Sequence, residues 1–157
     1  MRNKAENDIL PVLIVSVGGE KFAIMVATIH EVVPMMTIEH IPGSPVFLEG
    51  FIDIRGDLYV VVDLSKYYFN RSRETYIRDN RIILASVHGK NLGFIVDEII
   101  TLDEWTPDMR QTGIMTEGIH ALTGEIGKTM FGDIQVLNLD RILSEQELSL
   151  LARRNNL

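Results

Sequence analysis

Between Val12 and Leu139, short runs rich in Val, Ile and Phe recur about every 8 to 12 residues, with Gly, Pro, Asn or Asp between them. Runs this short leave little room for ordinary helices and read as the strands of a small, mainly all-β barrel or sandwich. The first half supplies Val12–Val17, Lys21–Val26, Phe51–Ile54 and Leu58–Asp63. The second supplies Arg81–Val87, Leu92–Ile100, Gly118–Ile126 and Asp133–Leu139. "VGGEK" and "VHGKN" sit between paired runs and read as hairpin turns, since Gly tolerates the positive φ that a tight turn needs. A short helix is expected after Asp63, which would cap "LSKYYF". A second is expected over residues 144–157, where Ser144 and Glu147 match a capping box and Arg153 and Arg154 suit the dipole at the end.

The stretch "GFIDIRGDLYVVVD", Gly50 to Asp63, carries three charges inside an apolar hairpin. With Gly56 and Asp57 as the central residues of a type II′ turn, Arg55 would oppose Leu58. Ile52 and Ile54 then share one face, and Phe51, Asp53 and Arg55 the other. Both faces of Leu58–Asp63 are largely apolar, which predicts a strand covered on both sides. The residues alone leave two readings of the tip open: a solvated turn, or an Arg presented for partner recognition. Arg55, Gly56 and Asp57 also spell an adhesion tripeptide, but the chain has no cysteine and its first residues do not form a secretion signal. The chemistry therefore points to the cytoplasm.

Other chemistries find little purchase. Asp53, Asp57 and Asp63 are separated by alternation and by the turn, and His30, His40, His88 and His120 are scattered, so no metal or acid/base group assembles. No glycine-rich phosphate loop is present, and no cofactor is expected. The net charge of −7 opposes a phosphate backbone, and no apolar run approaches the ~20 residues that span a bilayer. Nucleic acid and direct membrane insertion are thus not expected partners. Pro34 places Val32–Pro45 at a sheet edge. If that segment is extended, Met35 and Met36 point to opposite faces and at least one is exposed. Trp105 reads as a core cap. Residues 1–11 read as a flexible arm and 12–143 as one domain. The polar span 69–81 reads as the junction of two subdomains, because loops of that length usually join units or serve a function.

The order of motifs resembles the CheW-like family of bacterial chemotaxis coupling and scaffold domains. "GEKFAIMVATIHEVV" is similar to the family's opening strand pattern, "IEHIPGSP" to its Ile-Pro segment, and "GFIDIRG" with "VVVDL" to its central signature. "GFIVDEI" and "VLNLDRIL" resemble its later strands. The resemblance implies two intertwined five-stranded SH3-like β-barrels with a C-terminal helix, and no enzyme activity. It implies an adaptor between the cytoplasmic tip of a chemoreceptor and the regulatory domain of a chemotaxis histidine kinase. An alternative is a structural scaffold of a specialised pili or gliding array. A small-molecule or nucleic-acid barrel lacks its aromatic and basic platform. Glu31, Arg55, Gly56, Gly93, Val96 and Asp97 would lie at or support the receptor-facing groove. Met35, Met36 and Ile38 are expected at a kinase-facing edge, on their apolar exposure. Asp53, Met25 and Val60 stand where the family has Asn, Pro and Pro. Asp53 accepts but cannot donate when ionised, and as neighbour two residues along it is expected to pair with Arg55.

Overall fold

Period-2 burial organises the chain, and in the central strands both faces are buried. The computed structural model describes residues 9–71, 75–107, 125–144, 146, 147 and 149. They form β1 (Leu10–Val17), β2 (Glu20–Met25), β3 (Ile29–Pro34), β4 (Leu48–Ile54), β5 (Asp57–Asp63), α1 (Leu64–Phe69), β6 (Arg81–Val87), β7 (Lys90–Val96), β8 (Glu98–Pro107), β9 (Ile126–Thr129) and β10 (Gly132–Val136), with 3-10 turns at Val26–Thr28 and Leu139–Arg141.

The strands make two five-stranded sheets. One is a closed barrel in the order β1-β2-β10-β9-β8, and the other runs β3-β6-β7-β5-β4. The chain starts the barrel, builds the whole second sheet, and returns to finish the barrel, so the two units are intertwined as expected. The polar span 69–81 joins α1 to β6 within the second sheet, whereas the chain passes between sheets after β2 and at Asp97. β3 and β4 are the outer strands of the second sheet, and the chain beyond β3 links them: Glu39 and Phe51 exchange two backbone hydrogen bonds of 2.9 Å. Gly50, at φ +143°, permits this approach, because a Cβ there would lie 1.8 Å from the Glu39 carbonyl oxygen.

Alternation then yields three apolar layers. Val12, Ile14, Ala23, Trp105, Ile134 and Val136 fill the barrel. Leu13, Val15 and Phe22 meet Val60, Val62, Ile83, Phe94 and Val96 between the sheets. Ile52, Ile54, Tyr59, Val61, Ile82, Leu84 and Ile95 form the third layer, on the far face of the second sheet. Residues of β5, β6 and β7 thus point alternately into two cores, the two-sided strand read from "LYVVVD". Trp105 is 1% exposed, and its Nε1–H donates to the Ile134 carbonyl, as a core residue does.

Helix α1 fastens the sheets together. Asp63 Oδ1 accepts from the Ser65 and Lys66 N–H groups, the expected cap, while Oδ2 accepts from the Tyr76 hydroxyl at 3.0 Å. Phe69 and Tyr68 lie against Phe22 of the barrel, and the Tyr67 hydroxyl donates to the Ile142 carbonyl.

Three sequence expectations change here. "LGFIVDEII" is two strands, β7 and β8, because Asp97 turns the chain from one sheet to the other: its N–H donates to the Ser16 carbonyl, and its Oδ2 accepts from the Gly18 N–H at 2.7 Å. "DIQVLNL" ends as a strand at Val136. β1 already begins at Leu10, inside the expected arm. Of the strand expected over Gly118–Ile126 only its last residues are described, and most of the helix expected over 144–157 lies outside the described residues. The Glu147 N–H does donate to Ser144 Oγ, one half of the expected capping box.

Candidate partner-binding site

The register of the β4–β5 hairpin pairs Ile54 with Asp57, so Arg55 and Gly56, rather than Gly56 and Asp57, are its two central residues. Both have positive φ, 52° and 90°. That is the type I′ class, whose twist matches the flanking strands, and it displaces the type II′ turn expected from Gly56. Gly56 suits its position. Arg55 pays roughly 1 kcal/mol for a left-handed backbone that Gly or Asn would adopt more easily. A strained residue at an exposed tip is a reason to look for function there.

Asp53 explains the turn. Its Oδ1 accepts from the Gly56 N–H at 2.7 Å and closes the loop from below. It therefore does not pair with Arg55, contrary to the sequence expectation, because its carboxylate is turned to the backbone and Arg55 reaches across the sheet instead. Arg55 Nη2 donates to Glu31 Oε2 at 2.5 Å. That hydrogen bond holds the Glu31 carboxyl below the usual carboxylate range and raises the guanidinium further above its own. Since β3 and β4 are opposite outer strands, the pair spans the seam of the second sheet, as the Glu39–Phe51 bridge does further along. The side chains are 73% and 39% exposed, so the pair adds little to stability and remains open to a partner.

Parallel pairing of β5 with β7, Val60 opposite Leu92, sets the Arg55–Gly56 turn beside the His88–Gly89 turn. His88 and Gly89 again have positive φ, 51° and 75°. His88 Nε2 lies 3.0 Å from the Asp140 carbonyl. At this end a cleft of about 290 Å³ opens between barrel and second sheet, lined by Ala85, Val87, Trp105, Leu137 and Leu139, with Asp140 on its rim. The sequence reading took "VHGKN" for a turn and missed both the cleft and the tie to Asp140, since nothing local in "NLDR" signals contact with a hairpin 52 residues away.

The remaining residues of the expected groove lie elsewhere. Gly93 is buried in mid-strand, where a Cβ would come within 2.9 Å of Ile82 Cγ2, and Val96 is fully buried between the sheets. Asp97 lies just beyond the opposite end of β7, seven steps from Lys90, or about 23 Å at the usual rise per residue. Met35, Met36 and Ile38 are half-buried against the third apolar layer. The chain there is not a regular strand, so both methionines turn to the same cluster instead of opposite faces. They follow Pro34, which pairs with Arg81 at the Val96 end of β7, and lead to Glu39, which bridges Phe51 of β4. Among the described residues no cluster of His, Asp and Glu is placed to hold a metal ion, and no helix is long and apolar enough to cross a membrane.

Known proteins share this fold. A family model described as the CheW-like domain matches residues 11–147. The chemotaxis protein CheW of Treponema pallidum is 25% identical over 144 residues, covering 86% of this chain and 82% of the relative. That of Klebsiella aerogenes is 23% identical over 146 residues, covering 88% and 84%. The crystal structure of the scaffolding protein TtCheW from Thermoanaerobacter tengcongensis superposes with a TM-score of 0.73 at 26% identity, over 92% of this chain and 94% of that one.

Proposed function

The chain belongs to the CheW-like domain family, and from that premise we propose that it is a non-catalytic adaptor joining a chemoreceptor tip to the regulatory domain of a chemotaxis histidine kinase. The observation that carries this reading is the separation of two surfaces on one stiff sheet. Arg55, Glu31 and Gly56 form one end. Met35, Met36 and Ile38 make the other, an apolar patch that follows β3 and packs on the third layer, beside strands buried on both faces. An adaptor needs two sites far enough apart to be occupied together, on a body rigid enough to hold its partners in fixed relation. It then acts by raising the local concentration of one partner at the other.

In this reading the receptor meets the Arg55 end, and the kinase domain meets the Met35 end, where adaptable side chains suit an apolar contact. Gly93, Val96 and Asp97 support the sheet from within without touching a partner. The test is binding of the purified chain to a receptor-tip fragment and, separately, to a kinase regulatory domain. Arg55→Ala should abolish only the first, and Met35→Asp only the second. Loss of both by either variant would defeat the two-surface assignment. Binding of the kinase domain alone would favour the structural scaffold.

A further inference from the structure

We infer that His88 is a second contact residue of the surface that carries Arg55, selecting a partner segment that offers a hydrogen-bond donor; this rests on the reading of that end as receptor-facing. Among the described residues three two-residue hairpin turns have positive φ at both positions, at Gly18–Gly19, Arg55–Gly56 and His88–Gly89. The geometry favours Gly or Asn at the first position. At residue 18 glycine is also demanded by packing, since a Cβ would strike the Phe69 ring at 2.4 Å. At residues 55 and 88 the chain instead carries large polar side chains, both exposed to solvent. The two turns end neighbouring strands, through the parallel register of β5 and β7.

The imidazole is oriented as a contact group would be. A carbonyl only accepts, so the bond to Asp140 requires the proton on Nε2. In the neutral form of the ring Nδ1 is then an acceptor, and Nδ1 bonds to no described residue. A lysine, arginine or amide side chain of a partner would satisfy it, next to the apolar cleft that begins at Val87.

The test uses the full chain with His88→Gly, His88→Asn and Arg55→Ala, titrated against the receptor-tip fragment and the kinase regulatory domain, with Tm recorded. Both His88 variants keep the turn, because Gly and Asn accept left-handed backbone. Affinity for the receptor tip should fall about five-fold in each, as for loss of one hydrogen bond. Affinity for the kinase domain and Tm should hold. Unchanged receptor affinity, or equal loss for both partners together with a lower Tm, would overturn the inference. If Arg55→Ala abolishes receptor binding while both His88 variants are silent, only the role of His88 fails. If Arg55→Ala is silent too, the assignment of this end to the receptor fails with it.

Discussion

The two ends of the second sheet share three central strands and both flanking cores, yet they are held in opposite ways. At the Arg55 end the ties are exposed: a turn closed by Asp53, an ion pair across the seam, and an imidazole on a carbonyl. At the Val96 end they are buried. Asp63 is fully buried, caps α1 and accepts from Tyr76, while Asn80 Nδ2 donates to the Asp97 carbonyl and Lys66 pairs with Glu49 behind side chains 13% and 18% exposed. Buried polar ties are costly to break because a stranded group cannot turn to water, whereas exposed ties exchange freely with solvent. One end is thus held by buried ties and the other by exposed ones.

Substitutions can break that contrast. Asp63→Ala should cost the most, about 3 kcal/mol of unfolding free energy in urea, since it removes a buried cap and one acceptor of the Tyr76 hydroxyl. A loss under about 1 kcal/mol would mean that this end is not held by its polar network. Asp97→Ala should cost about 2 kcal/mol by freeing the Gly18 N–H at the crossover, again read from urea midpoints. Tyr68→Phe should act in the other direction, adding about 1 kcal/mol, because the Tyr68 hydroxyl is buried with no hydrogen-bond partner among the described residues.

Alkaline pH probes the same end. Burial first, then the Asp63 and Glu49 carboxylates, push the Tyr76 phenol well above its ordinary value of 10. The unfolded chain therefore loses this proton before the folded one, and stability is full below about pH 10 and falls as pH rises past it. Tyr76→Phe should flatten that slope, and an unaltered slope would assign it to other groups. Arg55→Ala marks the smallest effect on folding. It should leave the urea midpoint in place while receptor-tip binding is lost, and a shifted midpoint would erase the distinction between the ends.

The legibility of the molecule follows the range of the forces involved. Alternation in "LYVVVD" is local, so a strand buried on both faces was readable, as was the Asp63 cap. Trp105 and the sheet-edge position of Pro34 followed from side-chain size and the missing N–H. Register was not readable within the β4–β5 hairpin. Shifting the turn by one residue exchanges Arg55 for Asp57 at its centre, and the choice rests on backbone twist. The same shift decides what Asp53 does. Adjacent in sequence to the charged tip, it reads as a partner for Arg55, but the I′ turn brings the Gly56 N–H to it.

Composition, period and the order of motifs were enough to determine the fold class, the two-sided strand β5 and the likeness to the CheW-like family. Those properties depend on each residue and its near neighbours. Only the tertiary structure decided that Glu31, 24 residues before Arg55, closes the seam. It also decided that the His88 turn neighbours the Arg55 turn, and that Gly93 and Val96 are buried while Asp97 lies at the opposite end of the sheet. These are relations between strands distant in sequence. The curl of the second sheet and the parallel pairing of β5 with β7 create them, and no local pattern encodes either.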